Sequence, residues 1–102
     1  MFVRDLKKIV DLIENRNYTL KLKVSVPKIR ILNICEGTVV DNKIIFNAST
    51  QPGRKAMNMY VLGSLLNKAE DNSSILVRDV DLQDMYSVDN YTVTDNSLEL
   101  IG

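Results

Sequence analysis

The sequence holds no histidine and no tryptophan, one cysteine, two prolines and four glycines. Without histidine the usual general base near neutral pH is missing, and so is the commonest zinc ligand. Ser-His-Asp and Cys-His arrangements for nucleophilic catalysis are thereby excluded within the chain. Cys35 has no second cysteine to pair with, so an intramolecular disulfide and a thiolate metal cage are excluded as well. A lone thiol suits a reducing compartment. Long apolar runs are lacking too: the longest mostly apolar stretch, Tyr60 to Leu66, is interrupted by Gly63 and Ser64 and falls far below membrane-spanning length. The first ten residues carry charges every few positions and show no run of the signal-peptide kind. Together these absences predict a soluble, cytoplasmic chain with no membrane span, no metal, no cofactor and no enzymatic activity. Asp, Lys, Tyr and Cys remain as reactive groups, but no spacing presents them together.

What is present is ordinary for a globular domain. The 102 residues are 45% apolar and 25% charged, which predicts a single domain spanning 1–102 rather than a disordered chain. Thirteen basic and thirteen acidic residues cancel, but unevenly along the chain. Residues 1–30 carry eight basic and three acidic side chains, residues 31–70 four and three, and residues 71–102 one and seven. A basic head and an acidic tail fit a nucleic-acid face beside a solvating tail. They fit better two halves, or two copies, that neutralise each other, because the acidic third still carries strand-like patterning.

Val3, Leu6, Ile9, Val10 and Ile13 recur at helical spacing, so residues 3–14 read as a helix closed by Asn15-Arg16-Asn17. Tyr18, Leu20, Leu22, Val24 and Val26 alternate with Thr19, Lys21, Lys23 and Ser25, a strand with one buried and one wet face. Pro27 interrupts it, and residues 28–35 resume as a strand with Lys28 and Arg30 on one side and Ile29 and Ile31 on the other. Asp41-Asn42 between Val40 and Lys43 is a two-residue hairpin signature. A second helix is expected over residues 54–69, capped by Ser49 or Thr50 with Pro52 in its first turn. Residues 75–80 read as a strand, 81–86 as a helical turn or a loop, and 91–93 with 98–100 as a second hairpin. The resulting order, α-β-β-β-α-β-β, predicts a two-layer α+β fold: an antiparallel or mixed sheet of about five strands with two helices.

Three groups of residues stand out as candidate sites. Lys21, Lys23, Lys28 and Arg30 would lie on or near the uncovered sheet face, and Arg54 and Lys55 at the start of the second helix, where free N–H groups favour an anion. These six are candidates for nucleic-acid or anion binding, although no aromatic ring interleaves with them for base stacking. Asp79, Asp81 and Asp84 form an acidic cluster: a solvated rim, or a docking surface for a basic partner. Tyr86 and Tyr91 beside it suit a protein interface, as do Met57 and Tyr60 on the second helix unless they complete its core stripe. Asp-Asn occurs four times, between periodic segments each time, which is turn chemistry; a calcium loop would need a longer alternation and a distal glutamate.

The passage Asn15-Arg16-Asn17-Tyr18-Thr19-Leu20-Lys21-Leu22, preceded by the periodic helix, resembles the opening of the small phage anti-CRISPR inhibitors of the type II-A class. There a helix leads through a similar Asn-basic-x-Tyr-Thr-x-Lys-Leu passage into a small antiparallel sheet. The resemblance covers about one fifth of the chain. It implies a phage or mobile-element protein that blocks a host protein, such as a CRISPR effector, by occupying a surface. The family's inhibitor is strongly acidic and imitates DNA, whereas this chain is neutral overall and basic in this segment. That mechanism carries over only if the acidic residues between 79 and 99 supply it. The function expected is therefore a non-enzymatic protein-binding module. The alternatives are a self-assembling homo-oligomer, such as a homodimer joined by a strand edge or the second helix, and a nucleic-acid-binding protein using the basic first hairpin.

Overall fold

The period-two segment and the helical stripe near the N-terminus form the elements their spacing predicts. In the computed structural model, which describes residues 1–102, the order is α1 (Val3–Leu12), β1 (Thr19–Val24), β2 (Arg30–Val40), β3 (Lys43–Ser49), α2 (Met59–Leu66), β4 (Ser74–Asp79), β5 (Asp84–Ser87), β6 (Asn90–Val93) and β7 (Ser97–Ile101). This is an α+β protein with one mixed sheet of seven strands, in the order β5-β4-β3-β2-β1-β7-β6. The pairs β3–β4 and β1–β7 are parallel and the others antiparallel.

Leu20, Leu22 and Val24 of β1 are buried while Thr19, Lys21 and Lys23 are half-exposed. The buried set continues across the sheet through Leu32, Ile34, Ile44, Phe46, Ile75, Val77, Leu98 and Leu100. Val3, Leu6, Ile9, Val10 and Ile13 from the first helical region pack into this side, as do Met59, Leu62 and Leu66 of α2. The sheet curls around them as a half-barrel. Its two edge strands are consecutive in the chain, joined only by Val88 and Asp89. Three peptide steps of about 3.8 Å bring the edges within roughly 11 Å of each other at that corner.

Several expectations are corrected. The strand count is seven, not about five. The expected strand over 28–35 starts only at Arg30 and runs on through residues 38–40 as one strand, β2, whose register shifts between Ile34 and Glu36. That bulge blurs the alternation. Within 81–86 the chain turns through Gln83 (φ 61°) and returns as β5, antiparallel to β4.

α1 ends two residues early, and no left-handed asparagine closes it. Ile13 is extended instead, the Asn15 side chain accepts the Asn17 N–H, and Arg16 donates to the Val10 carbonyl at 3.0 Å. α2 spans 59–66 rather than 54–69. The Ser49 and Thr50 hydroxyls are committed to Asp81, and Gly53 (φ 87°) turns the chain away from helical geometry. Met57 then runs between β1 and β2: its N–H donates to Ile34 and its carbonyl accepts from Leu20, both at 2.8 Å. Only at Asn58, whose side chain accepts from Val61, is the helix capped.

The placement of Arg30 is corrected as well. It pairs with Val24 and shares the buried parity of Leu32 and Ile34, so it faces the concave side, and Ile29 and Ile31 are the exposed residues. No helix is long and apolar enough to cross a membrane.

Candidate functional site

The acidic triplet is held by the fold. Asp79 is fully buried: its Oδ2 accepts from Arg30 at 2.8 Å, and its Oδ1 accepts from the Asp81 and Leu82 amides. Asp81 reaches the opposite way and accepts from Ser49 Oγ, Thr50 N–H and Thr50 Oγ1. The Thr50 amide, and after it these hydroxyls, hold the Asp81 carboxyl below its ordinary value. Asp84 lies exposed at the start of β5, opposite Asp79. The three carboxylates do not converge on one open point.

The basic candidates are likewise separated. Lys21 and Lys23 lie on the convex face, next to Glu99 and Asn33 and to Ile31 and Ile101 respectively. Lys28 is exposed before β2, Arg30 is spent on Asp79, and Arg54 and Lys55 are exposed in the loop before α2 rather than at a helix N-terminus. Tyr86 is half-buried and packs on the core, and Met57 is buried. Tyr60 and Val61 stand out from α2, at 66% and 52% exposure. Beside them, Cys35 borders a shallow depression with Met57 and Leu65. Burial raises the Cys35 thiol's pKa, which disfavours the nucleophilic thiolate.

Tyr91 is the candidate that the structure surrounds with partners. It lies on β6, the edge strand, and borders a groove of about 440 Å³ between that strand and the C-terminal half of α1. Ile9, Leu12, Ile13, Tyr18, Tyr91 and Val93 supply its apolar lining, with Glu14 and Asn15 at the rim. A second depression of about 380 Å³ continues it toward Asp5, Lys8 and Asp89, sharing Ile9, Leu12 and Tyr91 with the first. Leu12 is 78% exposed, a large apolar side chain on a helix whose core residues lie elsewhere. All four residues of β6 are exposed.

The open side of β6 can be assigned group by group. Thr94 N–H donates to the Ser97 carbonyl at 2.9 Å, and residues 90–93 pair with 101–98 in antiparallel register. Hydrogen-bonded pairs alternate in such a ladder. Asn90 and Thr92 therefore bond to β7, and the N–H and C=O groups of Tyr91 and Val93 point outward. The Tyr91 N–H accordingly meets only its neighbour's side chain, Asn90 Oδ1, at 2.8 Å. An apolar trough thus runs beside backbone groups that no other strand pairs, of which only the Tyr91 N–H has a partner, the Asn90 side chain.

Leu12, Tyr18 and Val93 were absent from the candidates drawn from sequence. Two signals for them exist in hindsight: a leucine outside the helical stripe, and an uncharged run, Asn90 to Val93, within the acidic third. Comparison with protein-family models, with curated proteins and with solved structures finds no match to this chain.

Proposed function

We propose that this protein is a non-enzymatic protein-binding module that docks its partner in the groove between α1 and β6. One observation carries the reading: exposed apolar side chains lie there beside backbone polar groups of a strand edge that no other strand pairs. Apolar anchors supply desolvation energy and the backbone groups supply direction, the combination found where proteins bind extended segments. The segment that resembles the anti-CRISPR inhibitors, 15–22, contributes Asn15 and Tyr18 to this groove. That supports an inhibitor that blocks a host protein, such as a CRISPR effector, by occupying its surface.

The test is co-purification of a stoichiometric protein partner from the native host. Leu12→Arg places a charge in the groove on an exposed position and is expected to abolish capture, while Lys55→Ala on the distant loop leaves it intact. Capture unaffected by Leu12→Arg overturns the groove as the docking site. A second reading, self-association, rests on the uncharged outer face of α2, where Tyr60 and Val61 stand exposed. Sedimentation over a range of concentrations tests it: a mass that stays at one chain removes it. Nucleic-acid binding has weaker support, since Glu36 and Glu99 interrupt the convex-face cations and no aromatic ring stands among them.

A further inference from the structure

We infer that the occupant of the groove is an extended segment of another protein, added as a strand to β6, with apolar residues at two alternate positions flanked by Lys or Arg. The inference rests on the docking reading above and names the partner's chemistry. β6 is short, at four residues, and the Asn90 side chain covers the Tyr91 N–H, but Asn90-Tyr91-Thr92-Val93 has no charge, no proline and no bulge to keep another strand away. An antiparallel segment centred opposite Thr92 would bond the outward Val93 N–H and the Tyr91 and Val93 carbonyls directly, and would take a fourth bond by displacing Asn90 Oδ1 from the Tyr91 N–H. Its residues opposite those two share their face of the sheet, so their side chains enter the trough beside Leu12 and Ile13.

Charge selects between a second copy and a different chain. If β6 paired with its own copy in this register, Asp89 would stand opposite Asp95 of the copy, and Asp95 opposite its Asp89. Both carboxylates are exposed, and like charges directly across a ladder are unfavourable. The same two aspartates favour a partner with a cation three residues to either side of its centre. Glu14 and Asp5 on the α1 side of the groove add to the acidic rim, which stays net negative against Lys8 and the Met1 ammonium, the latter 3.7 Å from Asp89.

The probe is a fluorescein-labelled heptapeptide, Lys-Thr-Val-Thr-Val-Thr-Lys, titrated into the intact chain at low salt. Two controls accompany it, one with both lysines replaced by glutamate and one N-methylated at both valines. The lysine peptide is expected to bind, to shift the Tyr91 and Val93 amide resonances, and to exceed each control by about tenfold or more in affinity. Equal binding by the glutamate peptide overturns the charge selection, and equal binding by the N-methylated peptide overturns strand addition. Amide shifts confined to α2 or the convex face, or no binding by any peptide, overturn the inference as a whole. A native partner that is lost on Leu12→Arg substitution, with no heptapeptide binding, leaves the docking groove standing and removes only its proposed occupant.

Discussion

Asp79 and Asp81 are two residues apart, yet the fold uses them for different tasks. Asp79 neutralises Arg30 inside the curl and caps the turn that follows β4. Arg30→Met leaves a buried carboxylate unpaired, which is costly. Adding Asp79→Asn removes the charge while keeping an acceptor for the two amides. The double variant is therefore expected to melt above the single Arg30→Met variant, and calorimetry checks the order. Asp81 ties the Ser49–Thr50 corner to the β4–β5 turn, and its folded pKa is depressed below the unfolded value. Its contribution to stability is therefore present above the ordinary carboxylate range and lost as pH falls through the depressed folded value. Asp81→Asn should lower the denaturation midpoint at pH 7, and the gap from the unsubstituted chain should close in acid. Neither role was legible in the sequence, because carboxylates close in the chain look alike until β4 ends at Asp79 and the turn after it carries Asp81 to the Ser49–Thr50 corner. Arg30 misled for a related reason. Its parity with Leu32 and Ile34 placed it inward, but its charge argued for the wet face, and the buried partner that reconciles the two lies 49 residues away.

At the scale of elements, spacing alone located α1, β1 and both predicted hairpins. Those elements are set by neighbours in sequence: an apolar stripe, strict alternation, and a turn at Asp41 (φ 50°). α2 was placed too early because Ser49, Thr50 and Pro52 form a valid helix start, whose use is prevented by the bonds of Ser49 and Thr50 to Asp81, the left-handed Gly53 and the bonds of Met57 to Ile34 and Leu20. α2 then packs so closely on β2 that a Cβ added at Gly37 would stand 2.5 Å from Leu65 Cδ2 and 2.8 Å from the Phe46 ring. Gly37→Ala is expected to cost about 1–3 kcal/mol, read from urea denaturation. The β6 edge makes its own prediction in the free chain. The Val93 amide, pointing outward, should exchange its hydrogen much faster than the Thr92 amide, which bonds to β7. Equal protection of the two would mean that the open edge is assigned to the wrong residues.

For the molecule as a whole, the α+β class follows from the order of segments, but the half-barrel does not. Curl accumulates from strand twist, from the bulge after Ile34 and from the short link Val88–Asp89 that draws the two edges together. None of these has a signature in hydrophobic periodicity. The groove exists only because α1 crosses beside an edge strand some eighty positions later in the chain, so Leu12 and Val93 had no visible connection in the sequence. Hydrogen-exchange mass spectrometry of the chain bound to its native protein partner tests the central claim most directly. The account predicts new protection over residues 9–18 and 90–93, with 59–66 unchanged. Protection concentrated on 59–66 or on the convex face, with 90–93 exchanging as in the free chain, would contradict it.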